Sequence, residues 1–411
     1  MGLSMREKKA VTAATKKRYK KAGKKEKGRI LDEFVQLTGY TRCYASSVLR
    51  HVPTRRGGAR KGRRKRERIY GEEVCAALTS IWYICDCICG KRLAPYLEEI
   101  VPVLERHGEL LLEGEVREKV VRMSAATVDR MLRREKAKFT LKGKARTKPG
   151  TLLKSQVPIR TFADWDEKRP GFAEIDLVGH DGGDTRGDYI QTLDVTDVCT
   201  GWTETQAVKN KAQVWVFEAL QEIRSRLPFP LLGIDSDNGS EFINHHLVRY
   251  CEKEKLTFTK TRRYRKNDNC YVEQKNYSVV RRNVGYARYD TERELKILNA
   301  LYESSNPYTN FFQPVMKLVE KTRSGSRVRK KYDRARTPYQ RVLESPHVPE
   351  ETKEMLRALY LELNPVALKK EITKLQGTLM GKKVRGMSRQ GQLRRRQSAD
   401  LVYNVPSEVL R

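Results

Sequence analysis

The chain has 411 residues and carries 84 Lys and Arg against 51 Asp and Glu, a formal net charge of +33. That length exceeds one ordinary core, so two to four domains are expected, and that charge calls for a polyanionic partner. No apolar run approaches the roughly 18 residues of a spanning helix. The lysine-rich start lacks the apolar segment of a secretory signal. A membrane partner is therefore not expected, and a cytoplasmic or nucleoid location is.

Residues 1–26 read as a basic arm, disordered until it meets nucleic acid. Residues 27–66 begin with an amphipathic stretch in which Ile30, Leu31, Phe34, Val35 and Leu37 share a helical face. Gly39 supplies a turn, and Arg42 to His51 repeats the helical pattern with Ala45, Val48 and Leu49 inward. Helix, glycine turn and helix is the arrangement whose second helix enters the DNA major groove, although an ordinary helical hairpin has the same pattern. Arg42, Tyr44 and Ser47 are the candidate DNA contacts there. The Arg55–Arg68 run, interrupted by Gly57, Gly58 and Gly62, reads as a phosphate-contacting linker that includes Arg63 and Arg64.

Residues 67–138 form a second helical block. Val74 to Cys85 and Leu93 to Leu104 are apolar at helical spacing. Ser124 is a candidate N-cap for a helix with Val128, Met131 and Leu132 inward and Thr127, Arg130, Arg133 and Arg134 outward. Two readings stand side by side: a second helix-turn-helix-like DNA-binding domain contacting through Thr127 and Arg130, or a helical scaffold with a basic surface. Residues 139–164, with Pro149 and Gly150 and no periodicity, read as a linker. The eight cysteines include no CxxC pair, and no paired histidines accompany them. Neither a structural zinc site nor a disulfide framework is expected.

A different pattern occupies residues 165–290. Strand-like runs at Ala173–Val178, Tyr189–Val195 and Trp202–Val208 are followed by alternating helix and strand. That order describes a mixed α/β sheet of the ribonuclease H type. Asp176 falls mid-strand, where a charge is costly unless paired or bound to metal. Asp237 follows the Leu231–Ile234 strand and precedes an Asn-Gly turn. Glu273 comes thirty-five intervening residues later, early in a helix behind the basic loop Arg262, Arg263, Arg265, Lys266. Spacing alone decides little, because acids occupy 51 of 411 positions; the placement carries the signal. Lys275 and Asn276 are expected on the exposed face of that helix, where they would hold a phosphate. Among the nearby acids, Glu174 reads as a rim or auxiliary group, Asp194 and Asp197 as turn or surface acids, and His180–Asp184 as a hairpin connection. Asp237 is preferred over Asp235, and the pair His245-His246 reads as surface or core. Residues 291–411 read as a basic helical and irregular region, with clusters at Arg323–Arg336 and Arg389–Arg396 suited to further backbone contacts.

Asp176, the segment Asp237-Asn238-Gly239-Ser240-Glu241-Phe242 and the segment Glu273-Gln274-Lys275-Asn276 together resemble the D,D-35-E pattern of retroviral integrases and bacterial insertion-sequence transposases. The resemblance is specific over residues 170–290. It implies a ribonuclease H-like catalytic core between an all-α helix-turn-helix region and the basic C-terminal region. It implies two Mg²⁺ ions, which Mn²⁺ can replace, with Asp176 bridging them, Asp237 completing one site and Glu273 the other. It implies double-stranded DNA as partner (element ends and target) and a homo-multimer on that DNA, in a bacterial cytoplasm. The retroviral His2Cys2 zinc module is absent, and helix-turn-helix-like segments stand in its place. The expected activity is cleavage of mobile-element ends and joining of their 3′-hydroxyls to target DNA. A metal-dependent nuclease of the same fold that does not join is the alternative, with a non-catalytic DNA-binding regulator as a third reading.

Overall fold

A computed structural model describes residues 3–50, 69–137, 168–236, 245–260, 270–324 and 327–381. The chain divides into two compact units, Met1–Arg68 and Ile69–Arg411.

The first unit is three helices: α1 (Met5–Lys21), α2 (Lys24–Thr38) and α3 (Arg42–Arg50). The arm expected to be disordered is helical from Met5. Ser4 accepts the Glu7 amide while the Glu7 carboxylate accepts the Ser4 amide, a reciprocal cap that satisfies two donors at the helix start. Hidden in the lysine run, Val11, Tyr19 and Ala22 recur at helical spacing and pack against Ile30, Leu31, Phe34, Ala45 and Leu49. That burial orders a segment whose composition alone argues for disorder. Gly39 ends α2 at φ 65°, a conformation glycine adopts without strain, and a turn of Gly39, Tyr40 and Thr41 leads into α3.

The second unit is built on a five-stranded sheet ordered β3-β2-β1-β4-β5. β1 (Phe172–Gly179), β2 (Gln191–Asp197) and β3 (Thr203–Val208) form an antiparallel meander; β4 (Gly233–Ser236) and β5 (Thr257–Lys260) add in parallel on the other side of β1. The mixed sheet expected from the sequence is the one observed. On one face, Ala173, Ile175, Leu193, Val195 and Ile234 pack against Val216, Leu220 and Ile223 of α10 (Gln213–Arg226) and Leu247 and Cys251 of α11 (His245–Lys253). The other face is covered by α12 (Cys270–Lys275), which continues through a π-helical segment (Asn276–Arg281) into α13 (Arg282–Val284), and by α14 (Glu292–Phe312).

α14 treats β3 as an edge to be covered. The Asn299, Asn306 and Asn310 side chains accept the amides of Ala207, Thr205 and Thr203 at 2.8, 3.2 and 2.8 Å and donate to the carbonyls of the same three residues. Alternate strand residues would otherwise leave these groups unpaired at a sheet edge, which invites pairing with another chain. Three amide side chains on one helix remove that opportunity.

The second helical block comprises α4 (Glu72–Ile84), α5 (Gly90–Leu93), a 3₁₀ turn (Ala94–Tyr96), α6 (Leu97–Arg106), α7 (Gly114–Val121), α8 (Ala125–Met131) and α9 (Arg133–Ala137). Its core is shared with the C-terminal helices. Trp82, Leu97, Ile100, Leu104 and Val128 belong to one core with Phe311 and Phe312 of α14, Tyr339 and Val342 of α15 (Pro338–Glu344), Leu356 of α16 (Glu350–Glu362) and Val366 and Ile372 of α17 (Pro365–Gly381). The apolar faces of the block and of the C-terminal helices are each too large to leave in water, and each covers the other. An ion pair between Asp86 and Lys369 and a bond from Arg282 to the Asp86 carbonyl at 2.9 Å reinforce the join. Between α14 and α15, a two-stranded ribbon of β6 (Leu318–Ser324) and β7 (Arg327–Tyr332) emerges from this core. Among the described residues no helix is long and apolar enough to cross a membrane.

Candidate active site

The two-residue alternation of β1 puts Glu174 and Asp176 on one face of the sheet. Register carries that face across the neighbours: Asp194 of β2 lies opposite Asp176, Thr196 opposite Glu174, Asp235 of β4 opposite Glu174, and Thr259 of β5 opposite Asp235. Most apolar residues of the same strands lie on the other face, with Phe172 and Val178 toward the two ends of β1 among the exceptions, so the carboxylates are gathered on one side of the sheet. An acidic sheet face is costly to cover unless each carboxylate finds a donor or a cation. α12 supplies several of these.

The Glu174 carboxylate accepts the backbone amides of Tyr271 and Val272, each at 2.8 Å, at the start of α12. Four residues after Val272, the Asn276 side chain donates to Asp176 Oδ2 at 2.6 Å, while the Leu177 amide donates to Asp176 Oδ1 at 2.8 Å. Both ends of α12 are thus bonded to β1, through two side chains on its acidic face. Glu273 lies between the two attachments with its side chain exposed, and Asp176 is half-buried. Thr259 donates to Asp235 Oδ1 at 2.5 Å, anchoring the acid next to Glu174.

Electrostatics follow from burial. Glu174 is fully buried and its carboxyl is pushed well above the usual range, first by loss of water, with the negative charges of Asp235 and Glu273 adding to the shift and the Val272 and Tyr271 amides opposing it. Asp194 is pushed up to about 8 by burial, against the pull of the Lys275 ammonium. Lys275 is pushed down to about 8 by the same cause, against the pull of Asp194. The charge of each moderates the desolvation of the other, and Asp176 adds to the upward shift of Asp194.

Over 332 residues this chain is 42% identical to the uncharacterized protein y4rM of Sinorhizobium fredii, covering 80% of this chain and 93% of that one. The chain belongs to the y4rM family. No family model matches it. Among solved structures, the chain is similar to the catalytic core domain of BIV integrase, with 18% identity, a TM-score of 0.30, and 43% of this chain and 96% of that one covered. The HTLV-2 integrase catalytic core domain in complex with magnesium is another, with 14% identity, a TM-score of 0.28, and 36% and 91% covered. A simian T-cell lymphotropic virus intasome in complex with a PP2A regulatory subunit is a third, with 14% identity, a TM-score of 0.33, and 60% and 76% covered.

In this y4rM-family chain the structure brings Asp176 and the helix carrying Glu273 together. Asp237, which follows the last residue of β4, lies outside the described residues, as do Arg63, Arg64, Arg262, Arg263, Arg265 and Lys266. Lys275 is not on an exposed face: it is buried against β2, and a helix lying on an acidic sheet face has reason to turn a cation inward. Asn276 reaches Asp176 rather than solvent. Asp194 and Asp197 are not surface acids. Asp194 lies mid-strand on the acidic face, and Asp197 accepts the Gly171 amide at 2.8 Å and the Thr200 amide at 2.6 Å, holding the turn after β2. Glu174 is a fully buried anchor, not a rim group. The signal for it was present in the period of the strand, since Glu174 must share the face of Asp176. The electrostatic influence of Lys275 on Asp194 had no local signal.

The remaining candidates are on helices. Arg42, Tyr44 and Ser47 are all exposed on α3, with Arg42 ion-paired to Asp32. Ser124 caps α8 as expected, accepting the Thr127 amide at 3.3 Å, and the exposed Arg130 donates to the Thr127 hydroxyl at 3.1 Å.

Proposed function

We propose that this chain is a DNA strand transferase of the integrase and transposase type, which cleaves the ends of a mobile element and joins the freed 3′-hydroxyls to target DNA. The observation that carries the reading is the double attachment of α12 to β1, which holds the helix of Glu273 beside the strand of Asp176. β4, the strand next to β1, runs in parallel with it and ends one residue before Asp237 in the sequence.

The donor set fits a hard divalent cation. Asp176, Asp237 and Glu273 offer carboxylate oxygens, and Asp176 is half-buried while Glu273 is exposed. These three acids would hold two Mg²⁺ ions, with Mn²⁺ as a substitute, and the bound ions would activate the attacking hydroxyl and stabilise the departing oxygen. In the first reaction water attacks the phosphorus at the element end, the bond to the 3′-oxygen breaks, and a 3′-hydroxyl is released. In the second that hydroxyl attacks a target phosphodiester, forming one phosphodiester as another breaks, with the proton passing to the displaced 3′-oxygen. Around these reactions Glu174 and Asn276 keep the acids in place, and the Arg262–Lys266 loop, by its charge, would position the DNA end. The exposed face of α3, with Arg42, Tyr44 and Ser47, is suited to the major groove. Two element ends need two copies of the site, so the working form would be a homo-multimer on DNA.

The test uses purified full-length protein, labelled duplex carrying the element end, a target plasmid and Mg²⁺. Joined product is expected, and Asp237→Asn or Glu273→Gln should abolish cleavage and joining while leaving duplex binding intact. Cleavage without a joined product would leave the nuclease reading in its place. Full activity in either variant would sink the acid assignment.

A further inference from the structure

The β6–β7 ribbon is an element with no core of its own. Val319 to Arg323 and Val328 to Tyr332 are exposed along their whole length, on both faces. Isolated two-stranded ribbons are marginal in water, and like charges directly opposite one another weaken them further. This ribbon nevertheless sets Lys321 opposite Lys330 and places Thr322 and Glu320 opposite Arg329 and Lys331. Its sequence from Val319 to Tyr332 holds six basic residues against one acid, Glu320.

The root, by contrast, is firmly held. The Lys317 amide donates to Asp333 Oδ1 at 2.6 Å, the Asp333 amide donates to the Lys317 carbonyl at 3.0 Å, and Arg341 pairs with Asp333 at 2.7 Å. Val315 and Arg336 form a bridge below them, and the Lys317 ammonium donates to the Val198 carbonyl, just past the end of β2, at 2.7 Å. A ribbon clamped at its base to the sheet that carries Asp176, exposed on both faces, with two lysines opposite one another and six basic residues against one acid, is suited to an anion that neutralises it from outside.

We infer that the β6–β7 ribbon inserts into the major groove of duplex DNA, with Lys321 and Lys330 on the flanking phosphates; this rests on the strand-transferase reading for the presence of DNA. Two strands about 4.8 Å apart with their side chains fit a groove about 12 Å wide. Six residues at roughly 3.4 Å each span about 20 Å, or about six base pairs. The deep, narrow major groove of duplex RNA excludes such a ribbon.

The experiment measures binding of the full-length chain by fluorescence anisotropy across a salt series. The probes are a 30-base-pair DNA duplex, the same duplex with its major groove filled by glucosylated 5-hydroxymethylcytosine, and an RNA duplex of equal length. The Lys321→Ala/Lys330→Ala variant should bind plain duplex about tenfold more weakly, with a log–log salt slope lower by about two contacts. Glucosylation should weaken the native chain more than the variant, because the native chain has more to lose from a filled groove. An unchanged melting temperature for the variant confirms that the fold is intact. If the native chain binds duplex and the variant matches it in affinity and slope, the ribbon proposal falls and the DNA reading stands. Equal sensitivity of both proteins to glucosylation, or equal binding of RNA duplex, also overturns groove insertion. If the native chain binds no duplex at all, the DNA reading fails and the ribbon proposal with it.

Discussion

Glu174 accepts the backbone N–H of Val272 at 2.8 Å, so a carboxylate on β1 is bonded to the residue immediately before Glu273. Asp176 sits two residues along the same strand and receives the Asn276 amide, three residues beyond Glu273. The separation of the two candidate metal-binding acids is therefore set by two hydrogen-bonded attachments, one on each side of Glu273.

Removing the first attachment should loosen the helix. Glu174→Ala orphans two amides at the start of α12, and each unsatisfied buried donor costs about 1–3 kcal/mol. Glu174→Gln keeps a carbonyl acceptor and should lose less. Urea unfolding and hydrogen exchange over residues 271–280 report both effects. Identical behaviour of the two variants would show that the acceptor is not what holds α12.

Asp194 and Lys275 should behave as a unit. Asp194→Leu or Lys275→Met alone leaves the other buried ionisable group without the opposite charge that favours it and is expected to cost about 1–3 kcal/mol, whereas the double substitution should recover most of that loss. The two single changes are compared with the double in a denaturant-based cycle. Simple additivity would rule out the pairing.

The asparagines of α14 should matter to stability through the edge of the sheet. Asn306 accepts from the Thr205 amide and hydroxyl and donates to the Thr205 carbonyl and to Glu204. Asn306→Leu fills the space without replacing those bonds and should destabilise by about 1–3 kcal/mol. A loss under half that size in urea unfolding would mean that β3 finds other partners.

Glu99 gives a pH dependence of defined sign. Burial raises its carboxyl from 4.5 to about 7, against the nearby Arg334 charge and a bond from Gln340. A raised carboxyl means the folded state binds the proton more tightly than the unfolded state. Its contribution is therefore fully present below about 4.5 and is lost as pH rises through about 7. Discounted for partial exposure, the effect is on the order of 2 kcal/mol. Melting temperature should fall less steeply between pH 5 and 7 in Glu99→Gln than in the native chain. Parallel curves would remove Glu99 as the cause.

The parts of this protein that depend on near neighbours are legible in its amino-acid sequence. Strand runs, the Gly39 turn, the Ser124 cap and the mid-strand position of Asp176 are local patterns of period, turn chemistry and capping, and each appears, with β2 and β4 displaced two residues toward the C-terminus from the expected Tyr189–Val195 and Leu231–Ile234. The order of a three-strand meander followed by parallel strands was also readable, because connection lengths and element types restrict the pairing. The rest depends on contacts between distant segments. Asp194 looks like a turn acid until β2 is set in register against β1, and Lys275 looks exposed until α12 is laid on the acidic face. The lysine-rich arm becomes a helix because Val11, Tyr19 and Ala22 find Ile30, Phe34 and Leu49, and residues 69–137 lose their independence because Trp82 and Ile100 share a core with Phe311 and Tyr339. In each case the outcome turns on which distant surface removes a group from water, and burial of that kind leaves no trace in a single segment's composition.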